Sequence, residues 1–263
     1  MTDKKVIDAH FHVLNEDKNE IISMVKLSPN KDKYMAYKEL NLNEYDYKIH
    51  CSQFEKVFCI PFFLKEISAS NANNTLLGVL SQIPNALAVP VIDNADLEFI
   101  KFANVPMIGA KEHFILHEAS DVNKRKKAYS FLQKENKFLL IHCSSSLRID
   151  YLQYLRSQFP NLCIQVAHLG CYRRNIEKTY DFINLFANDT KMYFDISTIF
   201  DECLIRYVMC KLNYERILFG TDKPFVSDTN KGLIDYITKI VGEKHIMKIL
   251  HLNALELIGQ LTE

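Results

Sequence analysis

The chain has 263 residues, of which 48% are hydrophobic and 24% are charged, and its 32 basic side chains balance 32 acidic ones. Proteins that grip nucleic acid or anionic lipid need a surplus of Lys and Arg, so the zero net charge argues against both partners. No apolar signal-peptide core is visible, and the longest strongly apolar run, residues 57–64, is far shorter than the roughly 20 residues of a membrane span. Seven scattered cysteines without a CxxC pair are typical of reduced thiols. We therefore expect a soluble, cytoplasmic protein.

Short apolar runs rich in β-branched residues recur along the chain, and stretches of helical character lie between them. The predicted strands are 5–13, 56–63, 86–93, 105–114, 138–144, 162–170, 192–198 and 216–222. The clearest helical stretches are 121–135, 147–159, 176–187 and 201–212. Asp121 and Asp201 are candidate N-caps, because a short carboxylate can accept hydrogen bonds from the free N–H groups of a first helical turn.

This alternation of strands and helices predicts an α/β protein with the (β/α)8 TIM-barrel fold. An open doubly wound sheet shows the same alternation, but a Gly-rich phosphate loop would follow its first strand, and none is present. No repeat, low-complexity tract or linker divides the chain, so residues 1–263 are predicted to form a single barrel. The polar, irregular segment 14–45 follows the first strand, and we expect it to cover the mouth of the barrel.

Side chains that bind metals or carry charge stand at the ends of several predicted strands. They are His10 and His12 on the first strand, Lys111 and His113 on the fourth, His142 on the fifth, His168 on the sixth and Asp222 on the eighth. Residues two apart on a strand share a face. Because the carboxyl ends of all eight strands of a TIM barrel meet at one mouth, we expect these side chains to converge. Asp8 has the parity of His10 and His12, and we expect it either to fix a histidine ring or to be a buried structural hydrogen bonder.

The residue types at these strand ends suit metal chemistry. Imidazole nitrogens and one carboxylate, with a coordination position left to water, form catalytic sites for zinc or a similar divalent ion. Such an ion lowers the pKa of bound water to about 7, and a nearby carboxylate can collect the proton and return it to a leaving group. A single strand-end histidine is more often a hydrogen-bonded core residue, but chance poorly explains five such residues at the ends of four strands, namely His10, His12, His142, His168 and Asp222. The pattern therefore predicts a metal site at the carboxyl ends of the strands.

Several segments resemble the amidohydrolase superfamily, and within it amidohydrolase family 2, which includes the aminocarboxymuconate semialdehyde decarboxylase-like enzymes. They are IDAHFHV (7–13), GAKEHF (109–114), LLIHCS (139–144), VAHLG (166–170) and LFGTDKPF (218–225). The segment LNALELIG (252–259) is similar to the closing helix of that family, so the resemblance extends over nearly the whole chain.

The resemblance implies a divalent metal ion held by four residues. These are His10, His12, His142 and Asp222. It further implies that Asp222 accepts a proton from metal-bound water, and that His168 polarises the substrate or stabilises developing negative charge. It favours one ion, zinc or alternatively manganese, with Lys111 contacting the substrate or the bound water. The other arrangement is a binuclear site in which a carboxylated Lys111 bridges two ions.

The expected activity is hydrolysis of a C–O or C–N bond, as in a lactone, ester or amide, in a small carboxylated substrate. Arg148, Arg173 and Lys223 follow strands on the catalytic side, where a cation can clamp a substrate carboxylate. Non-oxidative decarboxylation of a small aromatic or unsaturated acid stays open, because the same ligands serve both reactions. A metal-dependent deoxyribonuclease of a related branch is the third reading, opposed by the zero net charge and by GAKEHF where that branch has a GEIGLD-like motif. Homodimers are common in similar families, although no residue here demonstrates an interface.

Overall fold

The structure of the protein is a computed structural model, which describes residues 5–13, 47–62, 69–92, 105–113, 122–143, 149–170, 176–225 and 229–259. The segment 14–45, expected to cover the mouth, lies outside these residues. No helix in the described ranges is long and apolar enough to cross a membrane.

Eight strands run through the described part of the chain, and each pairs in parallel with its neighbours. They are β1 (Ile7–Val13), β2 (Lys56–Pro61), β3 (Ala86–Ala88), β4 (Gly109–His113), β5 (Phe138–His142), β6 (Ile164–Val166), β7 (Met192–Asp195) and β8 (Ile217–Leu218). Each lies inside a predicted run and is shorter than that run. Strand β6 ends early because His168 and Leu169 adopt positive φ angles, which leave the extended conformation.

In the described part of the chain, helices lie in every interval between consecutive strands except that from β3 to β4, and two more follow β8. They are α1 (Tyr47–Cys51), α2 (Ala69–Leu80), α3 (Lys126–Lys134), α4 (Ile149–Gln158), α5 (Ile176–Phe186), α6 (Glu202–Lys211), α7 (Asn230–Val241) and α8 (Asn253–Leu257). A 3₁₀ turn, Val122–Arg125, precedes α3, and a π-helical turn, Lys248–Leu252, precedes α8. Asp201 caps α6 as predicted, since its carboxylate accepts a hydrogen bond of 2.9 Å from the backbone N–H of Leu204. Asp121 lies outside the described residues.

The strands form two sheets, β1–β2–β3 and β4–β5–β6–β7–β8, which are joined at both edges. On one side the backbone N–H of Ile108 donates to the carbonyl of Ala88 at 3.0 Å. On the other side the N–H of Asp222 donates to the carbonyl of His10 at 2.7 Å. These bonds connect β3 to β4 and the segment after β8 to β1, so the TIM-barrel prediction is confirmed.

Alternation along the strands separates the barrel interior from the layer between strands and helices. On β5, Phe138 and Leu140 belong to the smaller apolar cluster inside the barrel, whereas Leu139 and Ile141 belong to the larger cluster that contacts the helices. His142 continues the inward set of β5, which directs it to the mouth. The core thus supports the strand ends on which the predicted site residues stand.

Candidate active site

The centre of the site is a close group of three side chains, two from the first strand and one from the segment after the last strand. His10 and His12 stand on β1 with their Nε2 atoms 3.2 Å apart. Oδ1 of Asp222 lies 3.3 Å from Nε2 of His12 and 3.5 Å from Nε2 of His10. Three atoms that can bind a cation therefore face one another, which is the convergence that the strand-end positions predict.

Asp222 reaches this group from beyond its strand. Strand β8 ends at Leu218 rather than at Asp222 as predicted, and the chain then runs beside β1, with Asp222 at a φ of 53°. Gly220 allows the close approach, because a Cβ atom there would lie 2.7 Å from Cβ of His10. The absence of a side chain at position 220 is thus a condition for placing Asp222 beside His10.

Two further histidines extend the group along the mouth. The ring of His168 stacks on the ring of His10 with centroids 4.9 Å apart, and the ring of His142 meets His168 edge-on at the same separation. His142 in turn stacks on His113, its partner in the β4–β5 register, at 4.2 Å. Ligand atoms of His10, His168 and Asp222 all lie within 4.8 Å of one another. His168 is therefore as well placed for a cation as for the substrate-polarising role that the resemblance implies.

The electrostatics favour neutral imidazoles beside an ionised carboxylate. Burial lowers the pKa of His12 to about 4, against the opposing effect of its hydrogen bond to Asp222. Burial also lowers the pKa of His142 well below its ordinary value and lowers that of His168. Burial alone would raise the pKa of Asp222, but His168, His12 and His10 reverse that effect and hold it below its usual range. Neutral imidazole and ionised carboxylate are the protonation states that bind a metal, so these residues fit a divalent ion.

Lys111 brings a buried cation to the same mouth. Its side chain is 3% exposed, and Nζ has no hydrogen-bond partner among the residues that the structure describes. Burial lowers the pKa of Lys111 to about 8, although Asp195 and Asp222 oppose the effect. A buried amine without a partner needs an oxygen ligand, and a substrate or water can supply one.

Asp195, at the end of β7, is the main site residue that sequence patterns did not reveal. Its Oδ2 atom lies 2.9 Å from Nδ1 of His10 and accepts a hydrogen bond of 2.9 Å from Nε2 of Gln165. Its Oδ1 atom accepts hydrogen bonds from the backbone N–H of His168 at 2.9 Å and from the hydroxyl of Ser197. Burial would raise the pKa of Asp195, but His10, His168 and Ser197 hold it well below its usual range. The only sequence signal was a carboxylate ending the apolar run MYFD.

Asp8 has a different partner from the one its parity suggested. The β1–β2 register shifts between Asp8 and Phe11, and this bulge turns Asp8 away from the face of His10. Oδ2 of Asp8 lies 3.0 Å from Nε2 of His50 and accepts a hydrogen bond from the hydroxyl of Thr221 at 2.6 Å. Asp8 therefore fixes a histidine ring, but that ring belongs to α1 rather than to the cation-binding group.

The predicted substrate-binding residues are only partly described. Arg148 and Arg173 lie outside the described residues. Lys223 follows Asp222 directly, is 8% exposed, and accepts a backbone hydrogen bond of 2.8 Å from His12. Its position beside the group is as expected, and its contact with substrate stays a prediction.

The sequence matches no protein-family model and no curated protein. Solved structures, by contrast, match over nearly their full length. One is a protein from Pseudomonas putida whose assigned activity is that of a 2-pyrone-4,6-dicarboxylic acid hydrolase (TM-score 0.71, 14% identity, 99% of each chain covered). Another is a dihydroxybenzoic acid decarboxylase from Polaromonas sp. JS666 with bound manganese and 2-nitroresorcinol (TM-score 0.67, 15% identity, 97% of each chain). A third is an amidohydrolase from Burkholderia multivorans with bound zinc (TM-score 0.69, 10% identity, 97% of this chain and 99% of that one).

The fold is the TIM barrel that these solved structures share, as predicted. At these identities the likeness establishes that fold alone. The activities named for the similar structures are hydrolysis and decarboxylation, the same two that the motifs imply. The two metal-bound structures hold different ions, so the comparison does not choose between zinc and manganese.

Proposed function

We propose that the protein is a metal-dependent hydrolase that cleaves a C–O or C–N bond, in a lactone, ester or amide, of a small carboxylated substrate. The observation that carries this proposal is the convergence of His10 Nε2, His12 Nε2 and Asp222 Oδ1 within 3.5 Å of one another. Burying polar atoms together costs free energy unless they are satisfied, and a cation bound between these three would satisfy all of them at once.

We assign His10, His12 and Asp222 to the metal, with His142 as the fourth ligand. One ion is the proposal, because the one group of possible ligands found among the described residues, His10, His168 and Asp222, shares two members with this set. Zinc suits imidazole and carboxylate ligands, and manganese is the alternative. When bound, the ion supplies Lewis-acid activation of water at neutral pH.

The protein's own groups provide the remaining chemistry. Asp222 is ionised at neutral pH, so it can accept a proton at its carboxylate and return it to the departing oxygen or nitrogen. The buried Nζ of Lys111 can bind a carboxylate or carbonyl oxygen of the substrate, since no described residue occupies it. A neutral His168 beside the group can exchange a proton with the substrate at its ring nitrogen.

The test combines metal analysis with a substrate panel. We expect the purified protein to carry about one equivalent of zinc or manganese and to hydrolyse carboxylated lactones, esters or amides. The His10→Ala, His12→Ala double variant should lose both metal and activity. His245→Ala is the matched control, because this histidine stacks on Tyr214 away from the site and should keep both. Full activity of the metal-free wild-type protein would overturn the proposal, and about two equivalents would favour the arrangement bridged by Lys111.

Decarboxylation is the second candidate, favoured by the similarity in fold to the manganese-bound decarboxylase. The buried cation of Lys111 could bind the carboxylate of an aromatic acid as readily as that of a lactone. Carbon dioxide release from a panel of aromatic acids, without hydrolysis of any lactone, ester or amide, would select this reaction instead.

A further inference from the structure

A continuous chain of hydrogen-bonding groups joins His10 to His168 beneath the site. It consists of Asp195 and Ser197, both buried and both at or just beyond the end of β7. Nδ1 of His10 lies 2.9 Å from Oδ2 of Asp195, and Nδ1 of His168 lies 2.8 Å from Oγ of Ser197. The hydroxyl of Ser197 donates to Oδ1 of Asp195, which closes the chain. Neither Asp195 nor Ser197 has a role in the function proposed above.

The partners of Asp195 show whether Asp195 or His10 carries the proton of the hydrogen bond between them. The carboxylate accepts from Nε2 of Gln165, from the hydroxyl and the backbone N–H of Ser197, and from the backbone N–H of His168. With donors on both oxygens, Asp195 is an acceptor only. Nδ1 of His10 must therefore be the donor, and its Nε2 keeps a lone pair that faces His12 and Asp222.

The same reasoning applies to His168. The single proton of the Ser197 hydroxyl is used by Asp195, so this hydroxyl can only accept from Nδ1 of His168. The carbonyl of Ser197, 3.1 Å from the same nitrogen, is also an acceptor. Nδ1 of His168 thus faces two acceptors, with a third available in the hydroxyl of Thr198 at 3.3 Å.

We infer that Asp195 and Ser197 are positioning residues that hold both His10 and His168 with the proton on Nδ1, so that Nε2 of each is presented to the site as an acceptor. The inference rests on the proposed function only for the roles of the two histidines in metal binding and proton exchange. The tautomers themselves follow from the contacts. It also refines the role of His168. In its neutral form His168 presents a lone pair, so it accepts a proton or binds a cation and does not donate a hydrogen bond to the substrate.

Asp195→Asn provides an asymmetric test. The new amide must keep its oxygen toward the backbone N–H groups of His168 and Ser197, which cannot change from donors to acceptors. Its NH₂ group then faces Nδ1 of His10, and the proton of His10 must move to Nε2. The amide of Gln165 loses its hydrogen bond to position 195 in this variant and keeps the one that it donates to the carbonyl of Ala9 at 3.0 Å. We expect the variant to change the tautomer of His10 and to leave that of His168 unchanged.

The measurement uses metal-free protein labelled with ¹⁵N-histidine at about pH 8, where an ordinary imidazole is neutral. Protonated and unprotonated ring nitrogens have widely separated ¹⁵N shifts, and His→Gln variants assign the two residues. The wild-type protein should show Nδ1–H at both His10 and His168. Asp235→Asn is the matched control on the exposed face of α7 and should change neither.

An Nε2–H tautomer at either histidine of the wild-type protein would overturn the inference, as would an Asp195→Asn protein that keeps His10 on Nδ1. If that variant does not fold, the wild-type spectrum decides alone. Zinc affinity, measured by competition with a chelator, should fall about 10- to 100-fold in Asp195→Asn and stay unchanged in Asp235→Asn. If the tautomers are as expected but the wild-type protein binds neither zinc nor manganese, the proposed function fails and the tautomer inference stands.

Discussion

Single residues around the site are held in conformations that isolated chains avoid. His168, Thr198 and Asp222 have φ angles of 54°, 60° and 53°, in the left-handed region that non-glycine residues rarely adopt. Such backbone states cost of order 1–3 kcal/mol each and persist where the surroundings impose them. At His168 the surroundings include the carboxylate of Asp195, which accepts the hydrogen bond of the strained backbone N–H. The site therefore uses some of the stability that the rest of the barrel provides.

Burial of the Lys111 amine at the site has a cost in stability that can be measured directly. Because burial lowers its pKa to about 8 from 10.5, the folded protein binds this proton less tightly than the unfolded chain does. Stability therefore rises with pH between about 8 and 10.5, and the penalty below pH 8 is on the order of 3 kcal/mol. We expect Lys111→Met to raise the free energy of unfolding by about 2–3 kcal/mol at pH 7 and to reduce substrate turnover.

Urea unfolding of the metal-free protein at pH 7 and near pH 10 checks this expectation. The gain from Lys111→Met should shrink at the higher pH, where the lysine of the folded protein is neutral and that of the unfolded chain is losing its proton. Lys127→Met, on the exposed face of α3, should show no such gain at either pH. A variant equally stable or less stable than wild type at pH 7 would contradict the buried-charge interpretation.

At the scale of strands and helices, the sequence predicts the order of the barrel well and its local geometry poorly. Apolar runs reveal all eight strands, and parity alone predicts that His10 and His12 share a face of β1. Parity fails at Asp8 because a bulge shifts the register of β1. It also cannot foresee that Asp222 lies beyond β8 or that Asp195 contacts His10, because both depend on backbone turns and on contacts between strands distant in sequence.

Substituting two glycines tests whether the site in particular requires glycine at position 220, with a glycine inside a helix as the comparison. A Cβ at Gly220 would lie 2.7 Å from Cβ of His10 and 3.2 Å from its backbone nitrogen, so Gly220→Ala must displace β1 or the segment after β8. We expect this change to cost about 1–3 kcal/mol and to weaken zinc retention. A Cβ at Gly78, inside α2, meets nothing within 4 Å, so Gly78→Ala should stabilise by about 0.5–1 kcal/mol and leave zinc retention unchanged. Urea unfolding and metal analysis of both variants provide the comparison, and equal zinc retention in the two would refute the role given to Gly220.

A buried charged network connects β4 to the helices outside it. Glu112 follows Lys111 on β4, and its side chain points outward, to the opposite face. It pairs with Arg125 and accepts a hydrogen bond of 2.7 Å from the hydroxyl of Tyr129. The hydroxyl of Tyr151 on α4 lies 2.6 Å from that of Tyr129. The network therefore anchors the strand that presents Lys111 to the site.

Removing one member of this network should harm the protein more than removing the charged pair. Arg125→Met removes the cation that pairs with the buried Glu112 carboxylate, to which the hydroxyls of Tyr129 and Tyr151 donate, and we expect a loss of about 3–5 kcal/mol in the free energy of unfolding. Glu112→Gln combined with Arg125→Met removes both charges and should cost less than Arg125→Met alone. Denaturant unfolding of the two single variants and the double variant gives the coupling. Additive losses would show that the pair is not coupled.

For the whole molecule, the proposed metal site lies across the place where the barrel closes. His10 and His12 belong to the first strand and Asp222 to the segment after the last, so one ion would link the two ends of the sheet. The backbone bonds at this edge, such as the one from His12 to the carbonyl of Lys223 at 2.8 Å, hold the same segments together. Binding and barrel closure should therefore support each other.

This coupling predicts a thermal stabilisation that depends on the ligand residues. An ion that binds only the folded state adds about 2.7 kcal/mol at 100 times its dissociation constant, and for a chain of this size each kcal/mol raises Tm by about 2–4 °C. Zinc added to the chelator-treated protein should accordingly raise Tm by roughly 5–10 °C, and the chelator should reverse the rise. His12→Ala should respond weakly while His245→Ala responds like wild type, and magnesium, which prefers oxygen ligands, should have little effect on any of them. Equal zinc shifts in His12→Ala and wild type would show that the stabilising ion binds elsewhere on the protein.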